Sequence, residues 1–183
     1  MDIVASLVDQ LEWHWDNQLR PRLEGLTDEE YLWEPVPGCW SLRPKGESVA
    51  PVQAGEGDIV IEFAFPEPDP APVTTIAWRL GHVVVGCFGA RTHTHFGGPP
   101  ADYMTWPWAA SADEALVQLD AAHDAWVRGV GGLDVEALAR PVGEAEGPWA
   151  ARPMIDLVLH VHREVVHHGA EMSLLRDLYA RLG

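Results

Sequence analysis

The segment "HVHREVVHHGAE", His160 to Glu171, sets four of the chain's nine histidines beside two glutamates. Imidazole and carboxylate are the side chains that hold divalent ions and carry protons near neutral pH. Spacing restricts what this cluster can do. Residues on one helix meet a common ion when they stand three or four apart, and no two of these histidines are so spaced. His160 and His168, eight residues apart, are separated by roughly 12 Å along the axis, and His160 with His167 is equally out of reach. The pairs one turn apart are His160 with Glu164, Glu164 with His167 and Glu164 with His168. By this reckoning every site the segment can build includes Glu164.

A helical wheel with 100° per residue puts Leu157, Val161, Leu175, Leu178 and Leu182 within about 60° of Glu164, which defines the expected core-facing stripe. His160, Glu164, His168 and Glu171 interrupt that stripe, while His162 points to the opposite side and His167 sits at the margin. Buried carboxylates and imidazoles are costly unless paired or bound to a metal. Two readings follow: a metal site completed by another helix, or a buried network in which Glu164 pairs with Arg79 or a histidine. Histidines on other predicted helices that could complete a metal site are His14, His82 and His123. For His123, on a stripe with Leu116, Leu119 and Val127, a hydrogen bond to a neighbour is the favoured reading. His93 and His95, in "RTHTHFGG", read as exposed loop residues.

The elements that must position these groups are four helices. Apolar residues recur at three- and four-residue steps from Ile3 to Leu23, with Pro21 near the end. "TDEEYLWEP" pairs Thr27 with Glu30 as a capping box for a short helix or turn. Residues 35–72 are rich in Pro and Gly, and "DIVIEFAF" alone has strand character, so a long connection carrying a small hairpin is expected there, functional or a lid. "VTTIAWRLGHVVVGCFGAR" is apolar nearly all round and reads as a buried second helix. Ser111 and Glu114 open a third, and Pro153 is placed as the first residue of a fourth that runs to about Leu182. The expected class is all-α, a four-helix bundle in one domain with a long first crossover.

Composition narrows the function. A chain of 183 residues, 47% hydrophobic, supports one core, and a formal charge of -16 repels nucleic acid and anionic lipid surfaces. Cys39 and Cys87 form no CxxC pair, so no disulfide framework or zinc knuckle is indicated. The N-terminus lacks the pattern of a leader peptide and no apolar run would span a bilayer, so a cytoplasmic protein is expected.

The segments "GLTDEEYLWEPVPGCWSL", "TTIAWRLGHV" and "HREVVHHGAEMSLLRDLY" resemble the DinB/YfiT-like superfamily of metal-binding four-helix bundles, in the branch of the mycothiol-dependent maleylpyruvate isomerases and mycothiol S-transferases. The likeness covers most of the chain and is weakest from Arg43 to Pro72. It implies an up-down-down-up bundle and a homodimer. It also implies a metal held by His82 of the second helix with Glu164 and His168 of the fourth, just before Gly169. The commoner family pattern has three histidines; Glu164 departs from it and matches the isomerase branch. His160, one turn earlier, and Glu171 are expected to support these ligands from behind, and Arg79 and His123 are candidate substrate contacts.

Two imidazoles and a carboxylate suit Zn²⁺, with Ni²⁺ or Fe²⁺ as alternatives, and leave positions open for a reactant. The activity so implied is metal-dependent activation of a low-molecular-weight thiol, mycothiol or a similar one, for transfer to or isomerisation of a small electrophilic substrate. A metal-dependent hydrolase and a non-catalytic metal-binding or stress-response dimer are the alternatives.

Overall fold

A computed structural model describes residues 2–183 as a helix-rich chain with one small sheet. Helix α1 (Ile3–His14) opens on Asp2, whose carboxylate accepts from the Ala5 amide at 3.0 Å. It continues through a π-helical stretch, Trp15–Leu19, into the short α2 (Arg20–Arg22). Pro21, which has no N–H to return to the preceding turn, follows directly on the widened segment. The expected single helix is therefore present, with its last third widened. Helix α3 (Asp28–Tyr31) is capped by Thr27 as the sequence indicates.

The crossover holds more than a hairpin. Strands β1 (Leu42–Pro44), β2 (Val52–Ala54) and β3 (Ile59–Phe63) form an antiparallel sheet in the order β1-β3-β2, with Leu42 opposite Ile61 and Val52 opposite Phe63. The outer strands have three residues each, too few to show a period of two, and Pro44 hides β1 further because it is tolerated only at an edge. The sheet is anchored, not a loose flap. Buried Glu62 accepts from the Ser41 amide at 2.9 Å and from Arg43 Nε at 2.9 Å, and Trp78 Nε1 of the second helix donates to the Glu62 carbonyl at 2.7 Å.

The second helical body is α4 (Ile76–Gly81), a π-helical stretch His82–Gly89 and α5 (Ala90–Phe96), capped by Thr75 and ended by Gly97 at φ 71°. His93 and His95 lie on this helix, not in a loop, and His95 is tucked against Glu146 with Nε2 at 3.0 Å from the carboxylate. Helix α6 (Ala112–Gly131) starts at Ser111, whose hydroxyl accepts from the Glu114 amide. The connection to the last helix contains α7 (Val135–Ala139) and a 3-10 turn, Glu144–Trp149. Helix α8 (Met154–Leu182) takes Pro153 as its N-cap, one position before the expected one.

The first and second helical bodies both pack on α6 and α8. Trp126, Leu119, Phe88, Val161, Val165 and Met172 fill the space between them, all essentially buried. The buried face of α8 is broad, running from Leu157, Leu175 and His168, on the expected stripe with Val161, through Val165 and Met172 to Val158, Gly169 and His162, and it is centred near Val165. This lies about 100° from Glu164, so the wheel centred on the glutamate was rotated. Tertiary contact with three neighbours rather than one broadens the buried face, and His162 falls inside it. The residue is 9% exposed and its Nε2 accepts from Trp126 Nε1 at 3.1 Å, which overturns its placement on the outside. Gly169 permits close contact with the first helix, because a Cβ there would stand 3.0 Å from Leu19 Cδ1. Among the described residues no helix is long and apolar enough to cross a membrane.

Candidate metal centre

Rotation of α8 leaves Glu164 half-buried at the edge of the core, where it can face a neighbouring helix and still reach a cavity. His168, one turn later, is largely buried, and the second helix brings His82 against it with ring centroids 4.7 Å apart and planes nearly perpendicular. One nitrogen or oxygen from each of His82, Glu164 and His168 lies within 4.8 Å of the others. The Glu164 to His168 contact is 3.6 Å, from Oε2 to Nε2. Two ligands at 2.0–2.1 Å from a tetrahedral ion stand ~3.4 Å apart, so this separation fits a shared cation.

Both imidazoles are held from behind through Nδ1. His82 Nδ1 is 2.7 Å from the Tyr103 hydroxyl, and its ring stacks on Trp78 at 5.5 Å. His168 Nδ1 is 2.7 Å from Glu171 Oε2. Arg79 Nη1 is 2.6 Å from the same carboxylate oxygen and 3.2 Å from the same ring nitrogen. Because guanidinium can only donate, the consistent arrangement has Glu171 accepting from both the Nδ1–H of His168 and Arg79. This fixes the tautomer that leaves Nε2 of His168 bare and turned to Glu164, the arrangement that orients metal-binding histidines generally. His82 adopts the matching state when its Nδ1–H donates to Tyr103.

Burial pushes the His82 imidazolium down to about 3, with His168 and Arg79 adding to the effect. His168 is also lowered, by burial first, against the raising influence of its Glu171 hydrogen bond. Both rings are therefore neutral near pH 7, the state a ligand needs. Cys87 lines the same cavity, but burial pushes its thiol up to about 12, so it is no anionic ligand as it stands.

A second group, His167, His168 and Glu171, also brings three donors together and does not include Glu164. Contrary to the expectation that every site in the segment includes Glu164, Glu171 stands one turn after both histidines and brings them together without it. In that group the His168 nitrogen facing Glu171 and the Glu171 oxygen are already engaged with each other and with Arg79, and His167 is 62% exposed. The first group has uncommitted donors and a cavity in front of it.

That cavity, about 210 Å³, is lined by His82, Cys87, Arg91, Tyr103, His160 and Glu164. Gly86 also borders it; a Cβ there would meet the Tyr103 hydroxyl and stand 3.0 Å from His82 Nδ1, so only glycine leaves their hydrogen bond undisturbed. The π-helical turn from His82 to Gly89 widens the helix where the site opens, a common feature of functional helices. His160 is 3.5 Å from Glu164, at the rim. Arg79 is not among the residues lining the cavity. His123 is in another part of the core, stacked on Trp15 at 3.7 Å with Glu12 3.0 Å from its Nε2, and His14 bonds Gln18 at 2.9 Å. Neither joins the group.

The sequence model of the DinB superfamily matches residues 10–172. The chain belongs to the DinB superfamily. Metal-binding members occur in it, and the His82, Glu164 and His168 group lies within the matched span. No curated protein and no solved structure gives a significant match. The residues that sequence reasoning missed in this DinB site are Tyr103, Trp78 and Arg91. Trp78 and Arg91 flank His82 on the same helix at 4 and 9 positions' distance, a weak local signal. Tyr103 comes from the Gly/Pro-rich loop after Gly97, which has no periodicity from which a contact could be read.

Proposed function

We propose that this DinB-superfamily protein is a divalent-metal-dependent enzyme that activates a low-molecular-weight thiol of the mycothiol kind for transfer to, or isomerisation of, a small electrophilic substrate. The observation that carries this reading is the pair of imidazoles with Nδ1 engaged, set around one carboxylate, with His82 and Glu164 lining a cavity. Zn²⁺ is the ion that best suits two nitrogens and one oxygen. A cation held there supplies a Lewis acid that lowers the pKa of a thiol, giving a nucleophile at neutral pH.

The chain's own residues have separate tasks. Glu171 and Tyr103 fix the two rings, and Arg79 holds Glu171 in place. Trp78 closes one face of His82 and the buried Val161 walls the cavity, limiting access of water. The exposed rim at His160 is the route by which reactants enter. The up-down-down-up helix order, a homodimeric assembly and a cytoplasmic location are part of the same proposal.

The test is consumption of mycothiol by zinc-loaded protein with a panel of electrophiles, alongside Glu164→Gln. Thiol-dependent turnover that disappears together with bound metal in the variant supports the proposal. Turnover of the electrophile without thiol indicates a hydrolase instead. If the loaded protein neither binds thiol at micromolar concentration nor consumes it, the transferase reading is abandoned.

A further inference from the structure

A second, larger cleft of about 500 Å³ adjoins the cavity and shares Arg91 and His160 with it as lining. Its composition runs against that of the chain. With 28 acidic and 12 basic side chains the protein is strongly anionic, yet this cleft is lined by Arg91, Arg152 and Arg163 against Glu146 and Asp156. Their pairing is also loose. Arg20, Arg22, Arg43, Arg79 and Arg176 each hold a carboxylate oxygen at 2.6–2.7 Å. In the cleft the corresponding distances are 3.5 Å for Arg91 to Glu146, 3.5 Å for Arg152 to Asp156 and 3.8 Å for Arg163 to Glu164. Glu146 is further engaged by His95 at 3.0 Å.

Arg91 stands at the junction. Its Nη1 is fixed on the Gly86 carbonyl at 2.6 Å, which anchors the side chain to the widened turn and leaves Nη2 with only the long contact to Glu146. Apolar surface completes the cleft. Trp149, on the 3-10 turn, is 62% exposed, and Leu159 of α8 is 49% exposed. Arg163 donates from Nη2 to His160 Nδ1 at 2.8 Å, so it too is oriented by a neutral partner and not by a close carboxylate. An indole face and an aliphatic wall beside guanidinium groups without a close counter-anion recognise an apolar or aromatic body that carries an anion.

We propose that this cleft selects small organic acids, with the carboxylate on Arg152 and Arg163, the apolar body against Trp149 and Leu159, and Arg91 guiding the reacting end toward His82 and Glu164. In calling the acid a substrate the inference rests on the proposed function; the binding itself does not.

Binding of 1-naphthoate and of neutral 1-naphthamide, followed by tryptophan fluorescence and checked by calorimetry, tests this in zinc-loaded and chelator-stripped protein. Naphthoate is expected to bind at least roughly tenfold more tightly than the amide in both forms. The double variant R152Q/R163Q is expected to remove most of that preference without changing amide binding. Both side chains are largely exposed, so the fold tolerates the change. Equal binding of acid and amide, an unaltered double variant, or acid binding that vanishes when the metal is stripped would each overturn the proposal, the last by making the metal the acid's receptor. Arginine-dependent binding in a protein with no thiol chemistry would remove the proposed function and leave the cleft. Thiol turnover without any preference for acids would do the reverse.

Discussion

Replacing Glu171 by glutamine keeps the shape of the side chain and removes its charge, and so isolates the support given to His168. The carboxylate accepts from His168 Nδ1 at 2.7 Å and from Arg79 at 2.6 Å. Both contacts fall on the one oxygen Oε2, so a glutamine oxygen placed there keeps the hydrogen bonds and loses the negative charge that strengthens them. Loss of such an orienting carboxylate weakens metal binding by about 10–100-fold, or ~1.4–2.7 kcal/mol. The same change leaves the Arg79 guanidinium, 18% exposed, without its anion. Glu171 is itself 30% exposed, so the stability cost is discounted to about 1–2 kcal/mol, roughly 2–8 °C in Tm for a chain of this size. Competition for Zn²⁺ against a chromogenic chelator measures the affinity, and a metal-free thermal melt measures the second effect. The pattern across three variants decides the site. With His82, Glu164 and His168 as ligands, E164Q loses the most affinity, E171Q an intermediate amount and His167→Ala almost none. If H167A and E171Q abolish binding while E164Q retains it, the metal is held by the other group and the reasoning fails.

Two further expectations concern the rest of the fold. Burial lowers the His162 imidazolium to about 4 from an ordinary 6.5, so the unfolded chain takes up a proton that the folded one refuses between those pH values. The stability from keeping this ring neutral is complete above pH 6.5 and falls as pH drops toward 4, by at most about 3 kcal/mol. His162→Gln, which keeps an acceptor for Trp126, should flatten the loss of Tm on acidification of metal-free protein; an unchanged pH profile refutes the assignment. Glu30, buried and held bidentately by Arg176 at 2.7 and 3.0 Å, ties α3 to α8. Glu30→Ala leaves Arg176 unpaired and should cost about 3 kcal/mol, roughly 6–12 °C in Tm, with a shift below 2 °C counting against it.

Much of the helical layout was legible because its signals are local. Thr27, Thr75 and Ser111 each accept from an amide three residues on, and each starts a helix marked by a capping box or by its run of apolar residues. The candidate ligands on α8 were legible for a similar reason, since Glu164 and His168 stand one turn apart on any helix. Their opposite number was not, because His82, His123 and His14 are equivalent by spacing, and resemblance alone singled out His82. The sheet in the crossover was half visible: β3 has enough residues to show its character, whereas β1 and β2 are recognised only by pairing with it.

What the sequence by itself determined is thus the long helices, the acidic character of the chain and the one-turn spacing of Glu164 and His168, all properties of composition or of residues within one turn. Which face of α8 is buried was decided by the tertiary structure alone. Packing of the first two helical bodies and α6 against it turned His162 into the core and left Glu164 at the core's edge. The same packing brought His82 to His168 across 86 residues of chain, with Tyr103 behind it from a loop without pattern. Long-range contacts of this kind depend on how helices are oriented to one another, and a one-dimensional period carries no record of that orientation.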